Sequence, residues 1–365
     1  MDKRRPPLLF RDLASIPVLL VGVFMLITMN VDTGDRPEFL EDRLFAGVGG
    51  DFREYNFGVH GPYGVYPLRI KYYDDPAYDG PPVIIVHGMG TSDAYLWRVR
   101  GTVDFFSGFI YGERRFVDAV GHAQGLADLG YDVVTYTYPD SRNRPLEYQA
   151  YDLMRVVKWT KERFVARQVI LIGHSVGGLV VRYYLQSGQP GMDNYLIPRQ
   201  TLRDYTWNRY YAVTDYEMKR LRYGGDVAAA VLIATPNAGN LKADGADRSS
   251  PALYELKEGS GFVMWLEEGR TLAQRQSYRR PPVAVFAGTA YEDYMGEAPL
   301  DFGDGIVSVA SAVASWEEDP CAAGHVYRYD LDHFELAMDG EVLARIHNFL
   351  QEVVPAKAKS PRATD

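Results

Sequence analysis

The chain has 365 residues, with 39 Lys and Arg against 48 Asp and Glu for a net charge of −9, and 47% of it is hydrophobic. That composition excludes a disordered, collagen-like or low-complexity chain, and an acidic balance without long basic runs argues against nucleic acid as the main partner. The single cysteine, Cys321, excludes an internal disulfide, a Cys-built zinc cage and a CxxC redox pair.

Lys3, Arg4, Arg5 and Arg11 precede an uncharged stretch at residues 13–31, and Asp32, Asp35 and Glu38 follow it. An uncharged run of about 20 residues can cross a bilayer as a helix, and the cations before it set a cytoplasmic amino terminus. Residues 1–35 therefore read as a membrane anchor. A cleaved signal peptide is the alternative, although Thr28-Met29-Asn30-Val31 offers no small-x-small cleavage signal. A soluble core helix does not suit the flanking charges. Anchor and signal both place residues 36–355 outside the cytoplasm, tethered in one case and secreted in the other. No Asn-x-Ser/Thr sequon occurs, so N-glycosylation is not expected.

Residues 52–73 are rich in Tyr, Phe, Val and Gly and read as strands joined by turns at Gly58, Gly61-Pro62 and Gly64. Pro81-Pro82 stops the chain before a short apolar strand at 83–86, which runs into His87-Gly88-Met89-Gly90. Phe116, Val120, Ala123 and Ala127 then have helical spacing, with Gly130 as the stop. A strand is expected at 132–138, and a helix carrying Ala150, Leu153, Met154, Val157 and Phe164 after it. The apolar strand Val169-Ile170-Leu171-Ile172 leads into Gly173-His174-Ser175-Val176-Gly177-Gly178 and a helix to about Gln186. Further strands are expected at 228–234 and 283–287, then a terminal helix holding Val342, Ile346, Phe349 and Val353. Short apolar strands alternating with amphipathic helices predict a mainly parallel sheet covered on both faces.

Two stretches interrupt the alternation. Residues 188–225 hold Tyr195, Tyr205, Trp207, Tyr210, Tyr211 and Tyr216 among charges, and read as a cap or lid insertion. Residues 240–280 form a second insertion with helical patterning at 253–256 and 262–266. Residues 356–365, with Lys357, Lys359, Pro361 and Arg362, read as a flexible solvated tail.

Gly173-His174-Ser175-Val176-Gly177 is the strongest chemical signal. In Gly-x-Ser-x-Gly the serine sits on a sharp strand-to-helix turn that lifts its Oγ above a sheet, and the strained backbone needs small neighbours. Nucleotide readings of the glycine loops fail. Leu179-Val180 replaces the Lys-Ser/Thr of a Walker A loop, and Asp93 occupies the third glycine position of a dinucleotide fingerprint.

A serine nucleophile needs a base, and the base needs a group that fixes its tautomer. His333 is the candidate base, because it lies on the loop between the final strand and the final helix; His325 is the second choice. His174 and His87 adjoin glycine turns and read as structural, His60 lies in the early strands, and His122 and His347 lie on helices. Asp304, in a glycine-flanked turn after the 283–287 strand, is the candidate acid, with Asp301 and Asp293 behind it. The backbone amide of Val176, at a helix start, and that of Met89, on the loop after the 83–86 strand, are the candidate oxyanion donors. This chemistry needs no cofactor and no metal.

With these elements in order, the chain resembles the lipase and esterase branch of the α/β-hydrolases, bacterial triacylglycerol lipases among them. The resemblance rests on His-Gly-x-Gly at 87–90, Gly-His-Ser-x-Gly-Gly at 173–178, Asp-Gly-x-Val at 304–307 and the late His333, over roughly residues 80–350. Ala234-Thr235-Pro236-Asn237-Ala238-Gly239 is similar to the Thr-Pro-x-x-Gly turn of such lipases. It implies an α/β-hydrolase fold, in which Ser175, Asp304 and His333 follow the serine–acid–histidine order. Some bacterial lipases of similar pattern hold calcium near the catalytic histidine. Glu335 echoes one such ligand without a matched partner, and no metal site is assigned. The expectation is a membrane-anchored serine ester hydrolase acting on acyl esters, lipid esters foremost. An acyltransferase using the same triad and a non-catalytic binding protein on the same fold are the alternatives.

Overall fold

The computed structural model describes residues 53–61, 64–89, 93–105, 113–137, 144–196, 218–219, 221–240, 243, 251–275, 280–291 and 303–354. In chain order the strands are β1 (Arg53–Gly61), β2 (Gly64–Tyr73), β3 (Val83–Val86), β4 (Arg98–Phe105), β5 (Glu113–Val120), β6 (Val133–Thr137), β7 (Val169–His174), β8 (Val227–Ile233), β9 (Val283–Gly288) and β10 (Val326–Tyr329). The helices are α1 (His122–Asp128), α2 (Leu146–Arg163), α3 (Val176–Gln186), α4 (Pro251–Glu255), α5 (Gly261–Arg275), α6 (Val309–Val313) and α7 (Gly340–Val353). Eight strands form one sheet in the order β1-β2-β6-β3-β7-β8-β9-β10. β1 with β2 and β2 with β6 run antiparallel, and every later pair is parallel.

Successive side chains of a strand point to opposite faces, so a strand that is apolar throughout needs cover on both. Ile84, Val86, Leu171, Leu232 and Val285 pack on one face with Leu153 and Val157 of α2 and Leu179 and Val180 of α3. Val83, Ile85, Ile170, Ile172, Val231 and Phe286 pack on the other with Leu126 of α1 and Ile346 and Phe349 of α7. The mainly parallel, doubly covered sheet expected from the sequence is the one found.

Two local readings are corrected. Phe116 and Val120 lie not on a helix but on β5, which pairs antiparallel with β4 as a separate two-stranded sheet. The helix begins only at His122, after Gly121, whose N–H donates to Trp97 O at 2.7 Å. Helical spacing over residues 116–127 is real, but cross-strand pairing with residues 98–105 wins over it. Gly58 likewise marks no turn; it stands opposite Pro67 within the β1–β2 ladder.

Of the first insertion, residues 188–196, 218–219 and 221–225 are described. Tyr183 O–H donates to Tyr195 O at 2.6 Å, and the Tyr195 ring meets Phe262 of α5 edge-on at 5.5 Å. Trp265 Nε1–H donates to Asp193 O at 2.8 Å, so the two insertions pack on each other. Tyr205, Trp207, Tyr210, Tyr211 and Tyr216, the stretch 13–31 and the tail 356–365 lie outside the described residues. Among the described residues no helix is long and apolar enough to cross a membrane.

Candidate active site

Strand β3 lies between β6 and β7, so chain direction across the sheet reverses at β3, and the carboxyl ends of β3 and β7 flank a crevice. Ser175 stands where fully buried β7 turns into α3, with φ 55° and ψ −130°. That left-handed φ costs an L-residue roughly 1–3 kcal/mol and persists only where its surroundings enforce it. A Cβ on Gly173 would lie 2.5 Å from the Gly178 backbone, and one on Gly177 would collide with Val86 O. Ser175 N–H donates to Ile233 O at 2.8 Å, tying the turn to the end of β8. Val176 is the first residue of α3, where an amide has no acceptor within its own helix.

Asp304 follows β9 in a turn closed by its own side chain. Ile306 N–H and Val307 N–H donate to Oδ1 at 2.9 and 2.7 Å. Oδ2 lies 2.8 Å from His333 Nδ1. A carboxylate oxygen accepts, so Nδ1 carries the proton and Nε2 is left as the basic nitrogen. Both residues are buried. Asp332 and Glu335 shape the His333 turn: Asp332 Oδ1 accepts from Phe334 and Glu335 N–H, and Glu335 carboxylate accepts from Asp332 N–H.

The loop after β3 lies against Ser175. A Cβ built on Gly88 would come within 3.0 Å of Ser175 Cβ and 3.5 Å of its Oγ. Met89, the next residue, packs against the core on the α2–α3 face. His87 is fully buried, and its Nδ1 lies 2.8 Å from Gly88 O. Burial holds its pKa below the ordinary imidazole value.

His174 reaches the main chain of the His333 loop, with Nε2 2.8 Å from His333 O. Its Nδ1 lies 2.8 Å from the hydroxyl of Tyr95, a buried residue on the short 3-10 turn Asp93–Leu96. No sequence motif announces Tyr95, and it is absent from the sequence-derived candidates. His325 sits at the amino end of β10, with its ring 4.9 Å from Phe349 and its Nδ1 3.0 Å from Tyr327 Oη. Since β7, β8, β9 and β10 run parallel, that is the edge opposite Ser175. Asp293 and Asp301 lie outside the described residues.

A family model described as the alpha/beta hydrolase family matches residues 83–359. No curated protein matches the chain in sequence. Among solved structures, the mature lipase of Bacillus licheniformis is 16% identical with a TM-score of 0.45, covering 78% of this chain and 98% of that one. An esterase of Pyrococcus furiosus is 14% identical with a TM-score of 0.46, covering 86% and 96%. Lipase B of Aspergillus fumigatus is 14% identical with a TM-score of 0.44, covering 78% and 57%. The chain belongs to the alpha/beta hydrolase family.

Proposed function

We propose that the chain is a serine hydrolase that cleaves carboxylic esters, lipid esters foremost, through an acyl-enzyme. The observation that carries the reading is the Asp304–His333 bond, together with the His174 bond that links the His333 loop to the strained Ser175 turn. Ser175 Oγ attacks the ester carbonyl while His333 Nε2 takes its proton. Asp304 holds the imidazole in that tautomer and balances the imidazolium. The amides of Val176 and Met89 receive the oxyanion. His333 then protonates the departing alcohol, and water activated by the same nitrogen releases the acid.

The lipid half of the reading is supported by the aromatic density of residues 188–225 and by the basic-flanked apolar stretch at 13–31. On this proposal the stretch tethers the enzyme to a membrane, with the catalytic body outside the cytoplasm. A fluorophosphonate probe tests the chemistry: it labels the wild-type chain and not Ser175→Ala. Equal labelling of the two, or none of the folded wild type, overturns it. Turnover of p-nitrophenyl esters from acetate to long acyl chains tests the substrate class. A strong preference for acetate removes lipids and leaves a short-chain esterase.

A further inference from the structure

His174 has a partner at each ring nitrogen, and the chemistry of those partners sets the direction of both bonds. A carbonyl oxygen only accepts, so the contact of Nε2 with His333 O puts a proton on Nε2. Burial pushes the pKa of His174 well below the ordinary value, and His333 adds in the same direction, so the ring is neutral and Nδ1 is an acceptor. Tyr95 O–H therefore donates to Nδ1 at 2.8 Å. The same Tyr95 oxygen accepts from Gly88 N–H at 3.1 Å. The chain of bonds thus runs from Gly88 N–H to Tyr95, from Tyr95 O–H to His174 and from His174 Nε2–H to His333 C=O.

We propose that Tyr95 is a positioning residue for ester hydrolysis: its hydroxyl couples the loop that carries the Met89 amide to the loop that carries His333. This rests on the hydrolase reading of Ser175 and His333. The oxyanion donor and the base lie on loops after β3 and β10, and must keep one geometry around a serine on a third loop. Small displacements at such sites are costly, because the reacting atoms must stay within near-attack distance. Tyr95 also guards a charge state. Each turnover places a cation on His333, whose ring centroid is 4.8 Å from that of His174. A hydroxyl donating to Nδ1 occupies the lone pair that a second proton would need, so His174 stays neutral while His333 cycles. The Phe334 ring lies beside those of Tyr95 and His174, edge-on to Tyr95 at 6.5 Å and tilted to His174 at 6.4 Å between centroids.

Tyr95→Phe removes the hydroxyl and nothing else. The expected result is a loss of about tenfold in kcat per fluorophosphonate-titrated site with KM unchanged, equivalent to ~1.4 kcal/mol and within the net worth of the two hydrogen bonds that the hydroxyl makes. Counting titrated sites separates this from a smaller folded fraction. Tyr131→Phe is the control, since Tyr131 makes a similar contact with His347 at 2.9 Å, far from Ser175, and its kcat should match the wild type. In parallel, histidine nitrogen NMR of the unreacted wild-type chain should find His174 protonated at Nε2 with Nδ1 as a hydrogen-bonded acceptor. Unchanged kcat per site in Tyr95→Phe overturns the proposal, as does a protonated Nδ1 in the wild type, which is readable even if the variant does not fold. A wild-type chain that the probe does not label instead overturns the hydrolase reading.

Discussion

Asp304 and His333 are bonded twice: His333 Nδ1–H donates to Asp304 Oδ2 at 2.8 Å, and His333 N–H donates to Asp304 C=O at 3.0 Å. The main-chain bond holds the two turns together, and the side-chain bond sets the imidazole tautomer. The two functions are separable by substitution. Asp304→Asn keeps the main-chain bond and can keep the Oδ1 acceptor for Ile306 and Val307, but it faces His333 with an amide. The expected outcome is a folded chain whose kcat on p-nitrophenyl esters falls by about 10⁴, the loss associated with a base in the wrong tautomer. A variant that retains more than a tenth of the activity would remove Asp304 from its role.

His122 opens α1 fully buried, and burial pushes its pKa down to about 4, opposed by its bond to the Asp339 main chain. A histidine depressed in the folded state binds its proton less tightly there than in the unfolded chain. Its contribution is therefore fully present above about pH 6.5 and is lost as pH falls towards 4, by up to ~3 kcal/mol. Buried His87 and His174 shift in the same direction. Urea unfolding between pH 7 and 4 should show stability falling with acid, and His122→Leu should flatten that slope. An unchanged slope in His122→Leu contradicts the assignment.

Glu255 of α4 is buried and accepts from Leu146 N–H at 2.8 Å, joining the second insertion to the start of α2. Burial, with Glu147 beside it, pushes its pKa well above the ordinary carboxyl value. A raised carboxyl pKa makes its contribution greatest at low pH and loses it as pH rises from the unfolded value through the folded one. Glu255→Gln keeps an acceptor for Leu146 and removes the ionisation. Thermal unfolding at pH 8 should then rise by about 2 °C relative to wild type, with little change at pH 5. A lower melting temperature at both pH values refutes this account.

Asp319 receives Arg280 through both carboxylate oxygens, at 2.6 and 2.8 Å, and Arg270 at 3.3 Å. Arg270 also meets Glu267, which pairs with fully buried Arg182 of α3. Asp319→Ala leaves two largely buried guanidinium groups without that partner, and should cost about 3–5 kcal/mol. The expected signature is a large fall in melting temperature, with kcat per titrated site unchanged at temperatures where the variant is folded. A fall in kcat per site there would tie this network to the chemistry.

The legible parts of the molecule are those whose signals are local. Gly173 and Gly177 around Ser175 mark a turn because steric conflict within a few residues demands them, and the all-apolar strands mark a two-sided sheet because each needs two covers. Asp304 stands out through its flanking glycines, and His333 through its place between the last strand and the last helix. Tyr95 carries no such mark. It meets His174 across 79 residues of chain only because β3 and β7 are neighbours in the sheet. The β4–β5 pairing escapes for a related reason, since the spacing of Phe116, Val120, Ala123 and Ala127 fits a helix until residues 98–105 supply a partner strand.

Length, composition and charge alone already exclude a disordered chain and, with one cysteine, a cysteine-built metal centre, and the acidic balance argues against nucleic acid as the main partner. The sequence by itself also determined the alternation of strand and helix and the strained serine turn, both set by sterics and hydrophobic spacing between near neighbours. Tertiary structure decided which histidine meets which acid, and that His174 and Tyr95 join three loops. Hydrogen bonds between distant segments depend on strand order, and strand order is settled only when the whole sheet packs.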